Sequence, residues 1–252
     1  MRQNIAEVSY KGEIFPINRE GVESFGRPTC KSIAEVPHGR ADLVFLCTPN
    51  TVNEELLREC AKVGVRAAFV ASAGYGESAD GAEMEQRLVA LGRELGIAIA
   101  GPNGQGLVST AVSMCAQIVA PYPPPGPISV VSQSGNLASS FMNYGCLTGV
   151  GMSKAISCGN SAMLELSDYL EYYGEDPDTA VSLAYLEGVG DGRRFASVAR
   201  AHTARKPLVV VRGGVTSAGK RAASSHTGAL ASDDRIFSGI CRQTGRSRTS
   251  RR

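Results

Sequence analysis

What most constrains this chain is a recurring succession: a short apolar or β-branched run, a turn of Gly, Pro, Asn or Ser, then a helix-patterned stretch. Parallel strands need a crossover of a dozen or more residues, so this succession is the signature of parallel α/β units. In the first half, strands are predicted at Glu13–Ile17, Asp42–Cys47, Arg66–Ala71 and Ile97–Ala100. Helices are predicted over Thr51–Val63 and over Gly81–Leu95, an amphipathic stretch closed by Gly96. The run PYPPPGP at Pro121–Pro127 suits neither a helix interior nor a central strand, and is read as the domain linker. Beyond it, strands are predicted at Ile128–Val131, Met152–Ser157, Ala180–Tyr185 and Pro207–Val211. The helices expected between and after them cover Asn136–Tyr144, Leu164–Tyr173, Gly192–Thr203 and Asp233–Arg242.

A length of 252 residues suits two domains of ordinary size. With 43% hydrophobic and 20% charged residues the chain is too apolar to be disordered, and a packed core is expected throughout. No run approaches the ~20 apolar residues of a membrane helix, and the N-terminus lacks the apolar stretch of a signal peptide, so a cytoplasmic protein off the membrane is expected. The seven cysteines form no CxxC pair, which argues for reduced thiols and against a disulfide framework or a metal site. The net charge of +2 comes from a basic tail: removing the four arginines of RSRTSRR (246–252) leaves −2 for the rest. With no basic face interleaved with aromatics, no nucleic-acid partner is expected.

Open parallel sheets bind ligands beyond the carboxyl ends of their strands, so the strand-end loops carry the chemistry. Strand Ile128–Val131 runs through Ser132-Gln133-Ser134-Gly135 straight into a helix, and N–H groups of a helix's first turn offer an anion seat. The same residues are also ordinary N-cap and tight-turn residues. Ala180–Tyr185 is followed by LEGVGD, which places Glu187 and Asp191 past the strand end. Glu187 is a solvated loop carboxylate or, if it accepts Nδ1–H of an imidazole, the group that fixes the tautomer and aims Nε2. Such an imidazole is offered by His226, in a loop of small and hydroxyl residues after Pro207–Val211, which leaves room for a tetrahedral phosphate group. His202, near a helix end, and His38, in a Pro-Gly loop, are read as surface residues.

In order along the chain, PIN (16–18), CTPN (47–50), ASAGYGE (71–77), GPNGQG (101–106), SQSG (132–135), Gly159-Asn160, YLEG (185–188) and SSHTGA (224–229) resemble the nucleoside-diphosphate-forming acid-CoA ligases. These include ADP-forming acetyl-CoA synthetases and, more distantly, succinyl-CoA synthetase α-subunits. The resemblance implies an α/β protein of two doubly wound parallel-sheet domains. A Rossmann-like CoA-binding domain over 1–120, lacking its first strand and glycine loop, would precede a flavodoxin-like ligase domain over 126–245 and a basic tail over 246–252. It implies catalytic roles for His226, as phosphate carrier, and for Glu187. Phosphate would be held at Ser132, Gln133, Ser134, Gly135, Gly159 and Asn160. CoA would contact Pro16, Asn18, Cys47, Thr48, Pro49, Asn50, Ala73, Gly74 and Asn103. The implied reaction interconverts acyl-CoA, phosphate and ADP with carboxylic acid, CoA and ATP through an acyl phosphate and the phosphohistidine. ATP or ADP with Mg would sit on an ATP-grasp β-type subunit or fused domain, in an oligomer.

The pattern departs from the family in two places besides its start. GPNGQG stands where the family usually has GPNCxG, so Gly104 replaces a cysteine; and after Gly245 no ATP-grasp segment follows. A rival reading is a non-catalytic CoA-binding or regulatory module, of the kind fused to acyltransferases; the presence of both His226 and Glu187 argues against it. A nicotinamide-dependent dehydrogenase is disfavoured because no GxGxxG follows a first strand. The acyl group is left open.

Overall fold

The structure, a computed structural model, describes residues 10–24, 26–76, 79–119 and 121–213. His226, the helix predicted at Asp233–Arg242 and the basic tail lie outside the described residues. The first sheet has three parallel strands in the order β1-β2-β3: β1 (Leu43–Leu46), β2 (Ala67–Val70) and β3 (Ala98–Ala100). Between them run α1 (Asn53–Lys62) and α2 (Ala79–Leu95). Both crossovers agree with the predicted units, and Leu57, Cys60, Leu88 and Leu91 turn onto the sheet with Val70, Ile97 and Ile99 to form a core.

The strand predicted at Glu13–Ile17 reduces to one parallel bridge between Ile17 and Cys30. Asn18 N–H donates to Cys30 O and Cys30 N–H to Pro16 O, but Pro16 has no N–H with which to extend a ladder.

The second sheet has six strands, in the order β5-β4-β7-β6-β8-β9. Its parallel part is β7 (Met152–Ser157), β6 (Pro125–Ser132), β8 (Val181–Leu186) and β9 (Leu208–Arg212), crossed over by α3 (Gly135–Thr148), α4 (Leu166–Glu175) and α5 (Gly192–Thr203). These match the predicted elements to within a few residues, and the strand order is that of a flavodoxin-like doubly wound sheet. The antiparallel hairpin β4 (Gly106–Ser109) and β5 (Met114–Gln117), with no counterpart among the predicted elements, adds to the β7 edge.

The sheets therefore part between Ala100 and Gly106, ahead of the proline run at which the sequence places the boundary. That run is not simply a linker, because β6 begins at Pro125. Register shifts against β7 around Pro125 and Ile128 absorb the missing donors, and the regular ladder starts at Ser129. Phe69 and Ala100 of the first sheet pack into the same apolar cluster as Val131, Ile156, Leu170 and Leu186 of the second, so the two sheets share core. His202 is not at the surface: it is 3% exposed, and its Nδ1–H donates to Leu170 O at 2.9 Å. It completes the stripe Phe195, Val198, Ala199, His202, spaced i, i+3, i+4, i+7 on α5. His38 is exposed, as expected.

Candidate functional site

In a sheet ordered 2-1-3-4, the chain leaves the first and third strands in opposite directions, opening a crevice between their carboxyl ends. Here those ends are Ser132 of β6 and Leu186 of β8. Gln133, the first residue past β6, reaches across: its Oε1 accepts from the backbone N–H of Glu187 (2.7 Å) and of Gly188 (3.2 Å). Two strand-end loops are thus clamped by one side-chain oxygen. The loop after β7 closes the third side, and together they enclose a cavity of about 310 Å³ lined by Gln133, Gly159, Asn160, Ser161, Glu165 and Glu187 among others.

Of the six residues predicted to hold phosphate, Gln133, Gly159 and Asn160 line this cavity; the other three build the turn beside it. Ser132 Oγ donates to Ser134 O at 2.7 Å, Ser134 Oγ caps α3 by accepting from Leu137 N–H at 3.4 Å, and Gly135 lies against Gln105. A Cβ at Gly135 would come within 2.3 Å of Gln105 Cδ, and Gln105 Oε1 accepts from Ser139 Oγ at 3.1 Å. Gln105, to which the sequence assigns no role, is thus the buttress of the α3 start. Gly104 has an equally definite reason: a Cβ there would meet Phe69 Cζ and Ser157 O at 2.5 Å each. The ring of Phe69 and a strand carbonyl fill the space that a cysteine side chain would need.

Glu187 lies half-buried at the cavity wall, and among the described residues its Oε2 is buried without a hydrogen-bond partner. A buried carboxylate oxygen left so costs about 1–3 kcal/mol. Burial, then the neighbouring Glu187 charge and a hydrogen bond to the Glu187 side chain, push the Tyr185 hydroxyl above its ordinary value. Cys158, behind the cavity, donates Sγ–H to Ser132 O and accepts from Ser161 Oγ, both at 3.2 Å. Burial pushes its thiol up to about 11, which favours the protonated form. Asp191, the other carboxylate of the loop, is spent as the α5 cap, accepting from Arg193 and Arg194 N–H at 2.9 and 3.0 Å. Among the described residues no group of three or more His, Cys, Asp or Glu is placed to hold a metal ion.

The loops after β1, β2 and β3 gather at the end of the first sheet. Asn50 Nδ2 donates to Gly74 O (2.8 Å), Ser72 Oγ to Thr48 O (2.6 Å) and Asn103 N–H to Ser72 O (2.9 Å). Behind them, fully buried Asn53 accepts from Thr48 Oγ1 at 2.7 Å and donates to Ser72 Oγ at 3.0 Å and Tyr75 OH at 2.8 Å. Cys47, Pro49, Ala73 and Gly74 remain exposed at this end and Asn103 half-exposed, which suits an extended ligand lying on backbone. Of the segments predicted to contact CoA, the structure brings together Cys47–Asn50, Ala73–Gly74 and Asn103, while Pro16–Asn18 is joined to Cys30. Asn53, Ser72 and Tyr75 were not singled out in the sequence; polar residues behind a strand end were the available signal.

Fold and loops define a protein of two α/β units, each with its strand-end loops gathered at one end of its parallel strands. Residues 2–109 match the CoA binding domain family, and residues 125–251 match the family described as succinyl-CoA ligase like flavodoxin domain. The chain belongs to this succinyl-CoA-ligase-like family. It is 37% identical to the acetate-CoA ligase (ADP-forming) I subunit alpha of Pyrococcus furiosus over 96% of this chain and 54% of that protein. It is 31% identical to the 4-hydroxybutyrate-CoA ligase (ADP-forming) of Nitrosopumilus maritimus over 94% of this chain and 34% of that one. Among solved structures it resembles the dinucleotide forming acetyl-coenzyme A synthetase 1 of Ca. Korarchaeum cryptofilum in complex with phosphate and ADP, at a TM-score of 0.91 and 32% identity. That match covers 97% of this chain and 53% of the other. The chain thus spans between a third and about half the length of the curated relatives it matches. No helix among the described residues is long and apolar enough to cross a membrane.

Proposed function

We propose that this chain is the α-type portion of an ADP-forming acid-CoA ligase, carrying the CoA site and the phosphohistidine half of the reaction. One observation above all supports this: the switch-point cavity joins Gln133, the Gly159–Ser161 loop and an unpartnered Glu187 carboxylate oxygen, which a protonated imidazole nitrogen would satisfy. CoA is held at Cys47–Asn50, Ala73–Gly74 and Asn103, phosphate at Gln133 and the Gly159–Asn160 loop. Ser132, Ser134 and Gly135 support the phosphate seat from the turn beside it, and Pro16 and Asn18, tied to Cys30, would add contacts to CoA.

In the direction of ATP synthesis, phosphate oxygen attacks the acyl carbon, the thioester C–S bond breaks, and CoA leaves as thiolate to take up a proton. His226 Nε2 then attacks phosphorus, and the acyl phosphate P–O bond breaks to release the carboxylate. Glu187 accepts the Nδ1–H, keeping Nε2 unprotonated for attack and stabilising the charged ring that results. The phosphoryl group passes to ADP with its Mg on an ATP-grasp portion of the enzyme, another chain or domain of a larger assembly. Because phosphoryl transfer needs mainly positioning and charge stabilisation, the α3 N-terminus and the clamped loops do most of the work here.

The test is labelling. With acyl-CoA, radiolabelled inorganic phosphate and an ATP-grasp partner, the protein acquires an acid-labile label that is lost in His226→Ala, while Glu187→Gln lowers the labelling rate about a hundredfold. A label that survives His226→Ala overturns the proposal. Calorimetric CoA binding with no labelling favours the non-catalytic binding module instead.

A further inference from the structure

The wall of the cavity facing Gln133 is tied to the loops of the first domain. Asn160 N–H donates to Pro102 O at 2.9 Å and Ala162 N–H to Gly101 O at 3.0 Å, both in the GPN loop. Gly159 presses so closely on that loop that a Cβ would lie 2.1 Å from Pro102 O. Both ends of the Asn160 amide are also engaged across the divide. Its Oδ1 accepts from Asn103 Nδ2 at 3.4 Å, and its Nδ2 donates to Glu85 Oε2 on α2 at 2.7 Å. The same Glu85 oxygen accepts the N–H of Gly76 at 3.2 Å, in the loop after β2. One half-buried carboxylate oxygen therefore straps a loop of the first site to the wall of the second.

We propose that Glu85 is a positioning residue that makes the two ligand sites interdependent, so that CoA on the first loops tightens phosphate binding in the cavity. This rests on the assignment of CoA and phosphate to those two sites. The carboxylate suits the task because a single oxygen can accept both N–H groups, whereas neither donor has the other as a partner. CoA contacts at Gly74 and Asn103 restrict the Gly76 and GPN loops, and the strap passes that restriction to Gly159–Ser161. Linkage then requires phosphate to tighten CoA by the same factor. The sign of the effect separates strap from charge: a carboxylate acting only by its charge repels a nearby anion, and its removal would strengthen phosphate binding.

Calorimetry on the full chain tests this, with CoA titrated in the absence and presence of saturating inorganic phosphate. In the wild type, phosphate lowers the Kd for CoA about fivefold or more. Glu85→Ala, a helix-favouring change, brings that factor below about two and weakens phosphate binding, whereas Glu85→Gln, which keeps an acceptor oxygen, retains most of it. Asn160→Ala loses the same coupling from the other end, and the double variant loses no more than either single one. Thermal melting verifies that each variant is folded, and either single variant suffices if the other is not. Wild-type coupling that persists in Glu85→Ala, or phosphate binding that strengthens in both Glu85 variants, overturns the inference. Independent binding of the two ligands by the wild type overturns it while leaving the proposed function standing, and failure of the wild type to bind either ligand removes both.

Discussion

The loops after β1–β3 and those after β6–β8 occupy equivalent places in their sheets, yet they are finished differently. At the end of the first sheet the interior polar groups find each other: Asn53 alone makes three side-chain hydrogen bonds while fully buried. At the end of the second, Gln133 clamps the backbone, but the carboxylate it positions keeps a buried oxygen without a partner among the described residues. A satisfied network favours a preformed seat for a ligand that only binds. An unsatisfied acceptor is a group that an N–H or O–H donor arriving at the site can satisfy. The comparison separates a loop cluster whose buried polar groups are satisfied from one that keeps an open acceptor, the contrast on which the proposed division into a binding and a reacting site rests.

Four substitutions probe that separation. The largest effect is expected where the second domain is fully satisfied, away from the cavity, at the Lys154–Asp176 pair (2.6 Å, side chains 13% and 5% exposed). Asp176→Ala leaves Lys154 the longer contact to exposed Asp178 (3.5 Å) and the Tyr172 ring (5.8 Å), and should cost about 3–5 kcal/mol by urea unfolding. Burial alone would raise the Asp176 carboxyl, but hydrogen bonds from Lys154 and Thr179 outweigh it and hold the group below the usual carboxylate range. Its contribution is therefore present above the ordinary aspartate value of about 3.9 and lost as pH falls through the depressed one. The wild-type advantage over the variant should shrink below about pH 4, and an advantage that instead grows there refutes this account.

Asn53→Leu comes next, at about 3 kcal/mol, with a weaker CoA affinity measured by calorimetry. An unchanged affinity would mean that the loops of the first sheet do not need their buried network. Gly104→Ala should cost about 2 kcal/mol, because Ser157 O is backbone and cannot yield; the additional change Phe69→Leu should recover part of the loss, seen as a rise in melting temperature. The smallest stability effect belongs to Glu187→Gln, within about 0.5 kcal/mol of wild type or slightly more stable, although labelling collapses. A loss comparable to that of Asn53→Leu would erase the contrast between the two sites.

Most of the parallel framework was legible in the sequence, since strand and helix periodicities survive whatever surrounds them; the predicted bounds of α5 and β7 coincide with the structure. Short strands with weak patterns were not, as β4 and β5 show: four residues each, recognisable only through their pairing to β7 and to each other. His202 was misplaced although its spacing was readable, because polarity was weighed above position on the buried stripe of α5.

By itself, and leaving aside CoA, which entered only through the resemblance of the motifs, the sequence determined the α/β class, the order of strand-end loops and residue types suited to phosphate. Those follow from local periodicity and from what Gly, Ser, Asn and His can do chemically. Tertiary structure alone decided that Gln133 spends its oxygen on the Glu187 loop, that Asn160 faces Glu85 and Asn103 across the domains, and that Gly104 makes room for Phe69. Each of those contacts joins residues from 35 to 75 positions apart. Their partners are selected by packing between sheets, which no local pattern encodes.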